Sequence, residues 1–338
     1  MVPRNGLVTY STCPPSNKAD LATYVDDVVR IAGWSEEAGC DGILVYTDNG
    51  LVDPWLMAQV IMQNTERLCP LVAVQPVYMH PYSVAKMVST LGVVHGRATH
   101  MNMVAGGFKN DLLALNDQTE HDRRYDRLAE YTTIITELLK ENNAVTFEGE
   151  FYQVRNLKLQ PSLPPELFPT ITMSGSSEAG LACAQAIDAV AVQYPKPVAD
   201  YEKEAVDPSL ATGIRIGIIA REDSDEAWQI AYERFPADRK GQITHQIAMK
   251  VSDSSWHTQL SQLAKLASGE DNPYWLVPFE NYKTFCPYLV GSYDRVGQEV
   301  ARYFGLGYRT VILDVPSSPE DMRHIGRVFD LAHELVLQ

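Results

Sequence analysis

The residues best suited to chemistry are hydroxyl groups at the start of a predicted helix. Ser174, Gly175, Ser176 and Ser177 follow the apolar run at 169–173 and precede a helical pattern. A helix N-terminus presents free N–H groups and the positive end of the helix dipole, and both favour a phosphate. The same residues also suit an ordinary helix N-cap. Taken alone, they leave both interpretations open.

A second candidate follows the predicted strand at 97–104. After a glycine-containing loop, a helix is predicted to begin near His121 and to carry Arg124 and Tyr125 in its first turns. Basic and aromatic side chains at a helix start suit an anionic cofactor. The alternative is an ordinary strand–helix unit whose charges are solvated.

Strand and helix patterns alternate along most of the chain, and they must position these residues. Continuous apolar runs are typical of parallel strands buried on both faces. No G-x-G-x-x-G motif follows the first strand, so a dinucleotide-binding sheet is disfavoured. Eight strands alternating with helices predict an α/β fold of the (β/α)8 TIM barrel type. The predicted strands are 6–11, 42–46, 67–75, 97–104, 169–173, 188–194, 214–220 and 309–314.

Two segments interrupt this alternation. Residues 145–159 have the pattern of a β-hairpin, which embellishes the barrel. Residues 236–289 lack the strand–helix pattern and are predicted to be a lid-like insertion between the seventh strand and its helix. A single domain covering residues 1–338 is expected, with this insertion inside it.

Composition excludes several functional classes. The 338 residues include 28 Lys+Arg and 43 Asp+Glu, a net charge of −15, which argues against a nucleic-acid-binding face. The first residues lack the apolar core of a signal peptide, and no apolar run could span a bilayer, so a soluble cytoplasmic enzyme without membrane contact is expected. The 8 histidines and 5 cysteines lack metal-ligand spacing, so no metal site is predicted, and Cys13 is interpreted as an inert small side chain.

Several segments, taken in order, resemble the bacterial luciferase-like flavin-dependent monooxygenase superfamily, most closely its alkanesulfonate monooxygenase branch. The resemblance covers nearly the whole chain outside the 236–289 insertion. The segments that carry it are GCDGILVYTDNGLVDPW, LVAVQPVYMHPYSVAKMVSTLGVVHGRATHMNMVAGG, EHDRRYDRLAEY, FEGEFYQVRNLKLQP, ITMSGSSEAGLACA, IRIGIIAREDSDEAW and LVGSYDRVGQEVARYFGLGYRTVIL.

This resemblance implies a monooxygenase that receives reduced FMN from a separate flavin reductase. It implies reaction with O2 to form a flavin C4a-peroxide, which oxygenates a small organic substrate, and assembly as a homodimer or homotetramer. By position, Gln75 and Asn102 would line the isoalloxazine and His121 would lie beside the ribityl–phosphate side. The flavin phosphate would be bound by Arg124, Tyr125, Ser174, Gly175, Ser176 and Ser177.

Catalytic roles are expected for Arg215, Asn102 and His121. Arg215 would stabilise negative charge on the oxygenating species or bind an anionic substrate. The alternative for this arginine is an internal salt bridge with Asp314 or Asp48. The substrate pocket is expected to be walled by Tyr10, Tyr46, Trp55, Tyr78 and Tyr194, although a filled barrel core would show the same pattern.

The chain departs from the alkanesulfonate pattern at three positions. Leu51 stands where those enzymes have a cysteine, Gly217 where they have a histidine, and Val315 near the position of their tyrosine. The substrate is therefore expected to differ from a simple alkanesulfonate. A larger or carrier-bound substrate could lie under the insertion, whose aromatic residues could equally serve in packing; they are Trp275, Phe279, Tyr282, Phe285 and Tyr288.

Three alternatives stay open at this level. One is a deazaflavin-dependent oxidoreductase of the same superfamily, and another is a non-catalytic flavin-binding protein. The third is a barrel lyase or hydrolase, for which the sequence offers neither a carboxylate pair nor a metal set.

Overall fold

A computed structural model describes residues 6–140, 144–201, 209–251 and 272–337. Eight strands form a closed parallel barrel with helices around it, so the predicted TIM barrel is confirmed. The ring runs in the order β9, β12, β1, β2, β3, β4, β7 and β8. The described residues contain twelve strands, which are β1 Val8–Thr12, β2 Gly42–Val45, β3 Cys69–Val74, β4 His100–Met103, β5 Val145–Glu148, β6 Gln153–Leu157, β7 Ile171–Ser174, β8 Val190–Gln193, β9 Thr212–Arg221, β10 Tyr274–Trp275, β11 Tyr288–Ser292 and β12 Thr310–Leu313.

The helices follow the strands at most points of the described chain. They are α1 Tyr24–Glu37, α2 Pro54–Asn64, α3 Pro81–His95, α4 Lys109–Ala114, α5 His121–Leu139, α6 Glu178–Ala186, α7 Val198–Tyr201, α8 Ser224–Arg234, α9 Arg239–Val251, α10 Val277–Glu280, α11 Tyr293–Gly305 and α12 Pro319–Leu337. Over these residues, no helix combines the length and apolar character that a membrane crossing requires.

By their internal contacts, the described residues divide into two compact units. One contains residues 13–36 and 41–191, including β2, β3, β4 and β7. These strands are parallel neighbours, with Val45 opposite Val72, Val74 opposite Met103, and Asn102 opposite Thr172. Because parallel strands end at the same edge, the residues that end β3, β4 and β7 are brought together.

Helix positions in this unit follow local sequence signals. Asp53 caps α2, and its carboxylate accepts hydrogen bonds from the backbone N–H groups of Trp55 and Leu56. Helix α5 begins at His121 as predicted and buries one face at a spacing of three and four residues, as an amphipathic helix does. The residues on that face include Arg124, Leu128, Tyr131, Ile135 and Leu138.

The predicted hairpin is formed by β5 and β6, which pair antiparallel. Its turn is attached to α5 through Glu130. The two oxygens of this carboxylate accept hydrogen bonds from the backbone N–H groups of Glu150, Phe151 and Tyr152 at 2.8, 2.8 and 3.1 Å. One acidic side chain therefore satisfies three donors of the turn.

The other unit contains residues 6–12, 37–40 and the described part of 192–337, including β1, β9, β11 and β12. Strand β9 is long and changes its neighbour along its length. Its first half, 213–216, pairs with β12, and its second half, 217–221, pairs with β11. Gly217 therefore marks the point where β11 joins β9 outside the barrel ring.

The insertion differs in position from the prediction. Helix α8 follows β9 directly, so the segment from 236 does not separate the seventh strand from its helix. Its second part forms β10, α10 and the extra strand β11. Within the insertion, the sequence also predicts a helix over 243–268. Most of that range falls in 252–271, which lies outside the described residues. The single-domain prediction with an insertion at 236–289 stays a prediction.

Three aromatic residues of the insertion are fully committed to packing. Trp275 and Tyr288 belong to a buried cluster with Trp228, and the Trp275 and Trp228 rings are 5.7 Å apart at their centroids. The buried Phe279 ring packs edge-on against His245 at 4.6 Å. For these three residues the packing alternative therefore holds.

Candidate active site

The side chain of Asn102 is fixed by hydroxyl groups from the neighbouring strand. Its Oδ1 accepts hydrogen bonds from the hydroxyls of Thr172 at 2.8 Å and Ser174 at 3.1 Å. Asn102 is 4% exposed, and its amide nitrogen makes no hydrogen bond with any described residue. Because the oxygen is held, the amide N–H groups are presented as donors for a ligand.

The turn between β7 and α6 forms the predicted cradle. Ser177 is the N-cap of α6, and its hydroxyl accepts a hydrogen bond from the Gly180 N–H at 3.1 Å. The Ser176 hydroxyl oxygen is buried without a hydrogen-bond partner among the described residues. A buried hydroxyl without a partner is costly unless a ligand completes it. In this turn, the Ser177 hydroxyl therefore caps the helix, and the Ser176 hydroxyl is available to a ligand.

Tyr125 lies directly against this turn. A Cβ atom added at Gly175 would be 3.0 Å from the Tyr125 hydroxyl oxygen, so a side chain at this position would displace the phenol by a few tenths of an ångström. Burial raises the pKa of the Tyr125 phenol, while its hydrogen bond with Ser177 and the charge of Arg124 act in the opposite direction. The His121 ring stands edge-on to the Tyr125 ring at 5.4 Å, which places this imidazole near the same turn.

Arg124 is buried, with 1% of its surface exposed, and it connects α5 to the loop after β4. Its Nη1 donates a hydrogen bond to the Gly106 carbonyl at 2.9 Å. The structure therefore gives this guanidinium a role in fixing the loop, and its expected contact with a phosphate stays a prediction.

A cavity of about 320 Å³ opens beside the ends of β2 and β3 in the same unit. Gln75 and the predicted pocket residues Trp55 and Tyr78 line it, together with Leu51, which stands at one of the departures from the alkanesulfonate pattern. Tyr46 ends the predicted second strand and is partly buried. The complete lining is Thr47, Asp48, Leu51, Val52, Asp53, Pro54, Trp55, Ala73, Val74, Gln75, Tyr78 and Met79.

Arg215 lies in a separate polar cluster in the unit that contains β9. Its side chain is 6% exposed; Nη1 donates to the Tyr194 hydroxyl at 3.1 Å, and Nη2 is 3.9 Å from Asp314 Oδ1. Asp314 Oδ2 also accepts hydrogen bonds from the hydroxyls of Tyr288, at 2.8 Å, and Thr284. The internal salt bridge with Asp314 is therefore present, and a catalytic role for Arg215 stays a prediction. Tyr10, also in this unit, is 1% exposed.

At Gly217, where the alkanesulfonate enzymes have a histidine, the ring of Tyr288 occupies the space of a side chain. A Cβ atom at Gly217 would lie 2.3 to 2.4 Å from three ring atoms of Tyr288. Any side chain at this position would therefore collide with Tyr288, which is 4% exposed. The departure at Gly217 is thus tied to the extra strand that carries Tyr288.

Cys13 has the properties of a buried, unreactive thiol. It is 1% exposed, and burial raises its thiol pKa to about 12, against the lowering effect of a hydrogen bond with Tyr24. In the described portion of the chain, no group of three or more His, Cys, Asp and Glu side chains could bind a metal ion.

Some residues of the site were not predicted. Thr172 was missed although the period of two along β7 places it on the same face as Ser174. That signal was present in the sequence, but it acquires meaning only once β4 is known to pair with β7. Asp48 was predicted at the end of the second strand and as a possible partner of Arg215, but no binding role was assigned to it; it lines the cavity.

The geometry agrees with comparisons to known proteins. The family model described as luciferase-like monooxygenase matches residues 9–310. A relative from Niallia circulans, the 4-(gamma-L-glutamylamino)butanoyl-[BtrI acyl-carrier protein] monooxygenase BtrO, is 36% identical over 311 residues, covering 90% of this chain and 91% of the relative. The chain belongs to the luciferase-like monooxygenase family. The predicted superfamily is confirmed, and membership of its alkanesulfonate branch stays a prediction.

Solved structures show the same fold at low sequence identity. A riboflavin lyase, RcaE, superposes with a TM-score of 0.73 at 16% identity over 97% of this chain and 92% of its own. The long-chain alkane monooxygenase LadA superposes with a TM-score of 0.71 at 17% identity, over 97% of this chain and 91% of its own. The EDTA monooxygenase of Chelativorans sp. BNC1 superposes with a TM-score of 0.68 at 13% identity, over 98% of this chain and 93% of its own.

Family membership determines the general chemistry. The protein is a luciferase-like monooxygenase, and its family uses reduced flavin and O2. The residues described above fit such a cofactor, because the available Ser176 hydroxyl and the N-terminus of α6 suit a phosphate, while the Asn102 amide suits the polar edge of a ring.

Proposed function

We propose that this protein uses reduced FMN, delivered by a separate reductase, and O2 to oxygenate an acyl group attached to a carrier protein. The observation that carries the cofactor assignment is the buried Ser176 hydroxyl, which has no partner among the described residues and lies at the N-terminus of α6. The substrate class is supported by the 36% identical relative, whose name specifies an acyl-carrier-protein substrate.

The order of the strands suggests how the cofactor lies. Ser176 and Tyr125 lie near the end of β7 and would bind the phosphate through their hydroxyls, while Ser177, whose hydroxyl caps α6, would contribute its backbone N–H. Asn102 is the next-to-last residue of the adjacent β4, and Gln75 follows β3, the next strand in the sheet. A flavin that extends from β7 toward β3 would place its ring near both amides and beside the cavity at β2 and β3. His121 would lie on the phosphate side, next to Tyr125.

When bound, reduced flavin would supply two electrons to O2, with one oxygen atom entering the substrate and the other leaving as water. The protein's own contribution would be orientation and exclusion of water. The Asn102 amide is pre-oriented by two hydroxyls and would donate to an acceptor on the ring without reorganising. A simple alkanesulfonate is disfavoured as substrate because Arg215 already has Asp314 as a counter-ion and Tyr288 occupies the space over Gly217.

The cofactor proposal is tested by two neighbouring serines with different roles. Ser176→Ala removes a hydroxyl without a partner, so the stability of the flavin-free protein should stay the same or rise. Its affinity for reduced FMN should fall about tenfold or more, because a hydrogen bond to a charged group contributes about 1.5–3 kcal/mol. Ser177→Ala is the matched comparison, since losing an N-cap should lower the stability of the flavin-free protein by about 1 kcal/mol.

The measurement is an anaerobic titration with reduced FMN and, in parallel, reduced riboflavin, which lacks the phosphate. Wild type should prefer FMN, and Ser176→Ala should lose most of that preference. If the variant binds FMN as tightly as wild type, or loses affinity for both flavins equally, the phosphate assignment fails. Tighter binding of a reduced deazaflavin than of FMN would support the deazaflavin alternative, and flavin binding without any oxygenation would support the non-catalytic one.

The substrate class is tested with one acyl chain in two forms. The acyl-carrier-protein thioester should gain one oxygen atom, detected by intact-protein mass spectrometry, when reduced FMN and O2 are supplied. The corresponding free acid should react much more slowly. Equal rates for the two forms would contradict the carrier-bound assignment while leaving the monooxygenase activity in place.

A further inference from the structure

The cavity beside β2 and β3 has an electrostatic character that binding of the flavin does not explain. Its lining contains two carboxylates, Asp48 and Asp53, and no lysine, arginine or histidine. Asp53 is committed to capping α2, where it accepts hydrogen bonds from Trp55 and Leu56. Asp48 differs, because its Oδ1 accepts one hydrogen bond from the Gly50 N–H at 2.6 Å and no basic group of the described chain lies within ion-pair distance.

A second carboxylate strengthens the negative potential at this edge of the cavity. This carboxylate belongs to Asp111, and Asn49 connects the Asp111 backbone to the cavity-lining Tyr78. Asn49 Nδ2 donates to the Asp111 backbone carbonyl at 3.0 Å, and Asn49 Oδ1 accepts from the Tyr78 hydroxyl at 2.8 Å. Burial and the charge of Asp48 raise the pKa of the Asp111 carboxyl. Burial, followed by the charges of both carboxylates, raises the pKa of the Tyr78 phenol to about 12. The described residues therefore leave negative charge uncompensated beside the cavity.

The side-chain amide of Gln75 also lines this cavity. Gln75 is 7% exposed, and its side-chain amide makes no hydrogen bond with any described residue. Because a side-chain amide has donor N–H groups and a separate acceptor oxygen, Gln75 can donate to the flavin ring and still offer its oxygen to a second ligand. The rings of Trp55 and Tyr78 line the same space. A carboxylate, an amide oxygen and aromatic rings are the groups that bind a cationic nitrogen.

We propose that this cavity receives a primary ammonium group at the free end of the substrate's acyl chain, with Asp48 as its counter-ion. The inference rests on the proposed carrier-bound acyl substrate and names the chemical class of that acyl group. A cavity of about 320 Å³ is large enough for the end of a short aminoacyl chain. Asp48 is then a specificity-determining residue that selects amino-terminated chains over neutral ones.

The test compares two substrate analogues that differ only in charge: an ω-aminoacyl pantetheine thioester and its N-acetylated form. Their dissociation constants are measured by calorimetry on the full chain. Wild type should bind the amine at least about tenfold more tightly, as expected for one partly desolvated charge pair. Asp48→Asn should lose this preference while keeping its affinity for the acetylated form within about twofold, because asparagine can still accept the Gly50 hydrogen bond.

Asp26→Asn is the matched control, since Asp26 is an exposed carboxylate on α1 that makes no ion pair within the described chain. It should leave both constants unchanged. The proposal is overturned if wild type binds the two thioesters equally. It is also overturned if Asp48→Asn keeps the preference, or if it weakens both thioesters to the same extent, which would indicate a role in loop folding.

Oxygenation, measured separately with reduced FMN and O2, distinguishes this proposal from the proposed function. If the acetylated thioester is oxygenated as well as the amine, and no binding preference exists, the ammonium site is wrong and the monooxygenase function stands. If the amine preference depends on Asp48 but neither thioester is oxygenated, the ammonium site stands and the proposed function fails.

Discussion

Substituting Gly217 should destabilise the protein through a single contact, with the ring of Tyr288. In Gly217→Ala, the new Cβ would lie 2.3 to 2.4 Å from three ring atoms. Carbon atoms in contact are usually about 3.5–4.0 Å apart, so the ring would have to move by about 1.2 Å or more. Little room exists for that movement, because the Phe235 ring packs edge-on against Tyr288 at 5.0 Å and Asp314 holds its hydroxyl at 2.8 Å.

The cost can be worked out from these contacts. Overpacking a filled core costs about 1–3 kcal/mol. If the ring moves and its hydrogen bond to Asp314 is lost, about 1 kcal/mol is added. Gly217→Ala should therefore lower the free energy of unfolding by about 2–4 kcal/mol. Gly33→Ala is the matched control, because a Cβ at that position in α1 meets no atom within 4 Å and should be neutral or stabilising.

A double-mutant cycle in urea isolates the contact. Tyr288→Ala alone should cost about 3–5 kcal/mol, as expected for truncating a buried aromatic residue. Adding Gly217→Ala to that background should then cost little, giving a coupling energy of about 2–4 kcal/mol. Equal effects of Gly217→Ala in both backgrounds would refute the steric reasoning. So would an unchanged urea midpoint for the single variant.

Two further predictions concern ionisable groups. Burial raises the pKa of the Asp117 carboxyl, but hydrogen bonds from Arg127 and Thr119 outweigh it and lower the pKa to about 2. The resulting stabilisation is present above the unfolded pKa of about 4 and is lost as the pH falls toward about 2. The difference in melting temperature between wild type and Asp117→Asn should therefore disappear over that pH range. A constant difference would contradict the assignment. Burial raises the pKa of the Cys13 thiol to about 12, so this cysteine should resist iodoacetamide in the native protein at mildly alkaline pH and react after unfolding. Peptide mass spectrometry follows the labelling. Rapid labelling of the native protein would show instead that the thiol is accessible.

Features coded by local signals were predictable from the sequence. The sequence predicts a last helix over 319–337 and a helix that begins near His121, and the structure has α12 at Pro319–Leu337 and α5 at His121–Leu139. Both were predictable because proline at a helix start and the spacing of apolar residues are local properties. Strand edges were less accurate: the strand expected at 97–104 pairs only over His100–Met103. Strand β11 was missed because its partner β9 is distant in sequence, so its pairing leaves no periodic signal near Tyr288.

In the candidate site, too, features set by local sequence were predictable, and features set by distant contacts were not. The turn at Ser176 was predictable because the N-cap at Ser177 and the helix that follows are contiguous in sequence. The orientation of Asn102 was not predictable, since it depends on the register that places Thr172 beside it. Arg215 was recognised, but its counter-ion Asp314 is held by Thr284 and Tyr288 from the insertion, whose packing no sequence pattern indicated.

Two positions that depart from the alkanesulfonate pattern lie beside carboxylates, which would not favour a bound anion. At Gly217, the loss of a side chain admits Tyr288, whose hydroxyl helps to hold Asp314 within 3.9 Å of Arg215. A sulfonate would have to compete with that carboxylate for the guanidinium. In the other unit, Leu51 lines a cavity whose charged lining residues are carboxylates only. The absence of basic groups from this lining is consistent with the proposed ammonium site at Asp48.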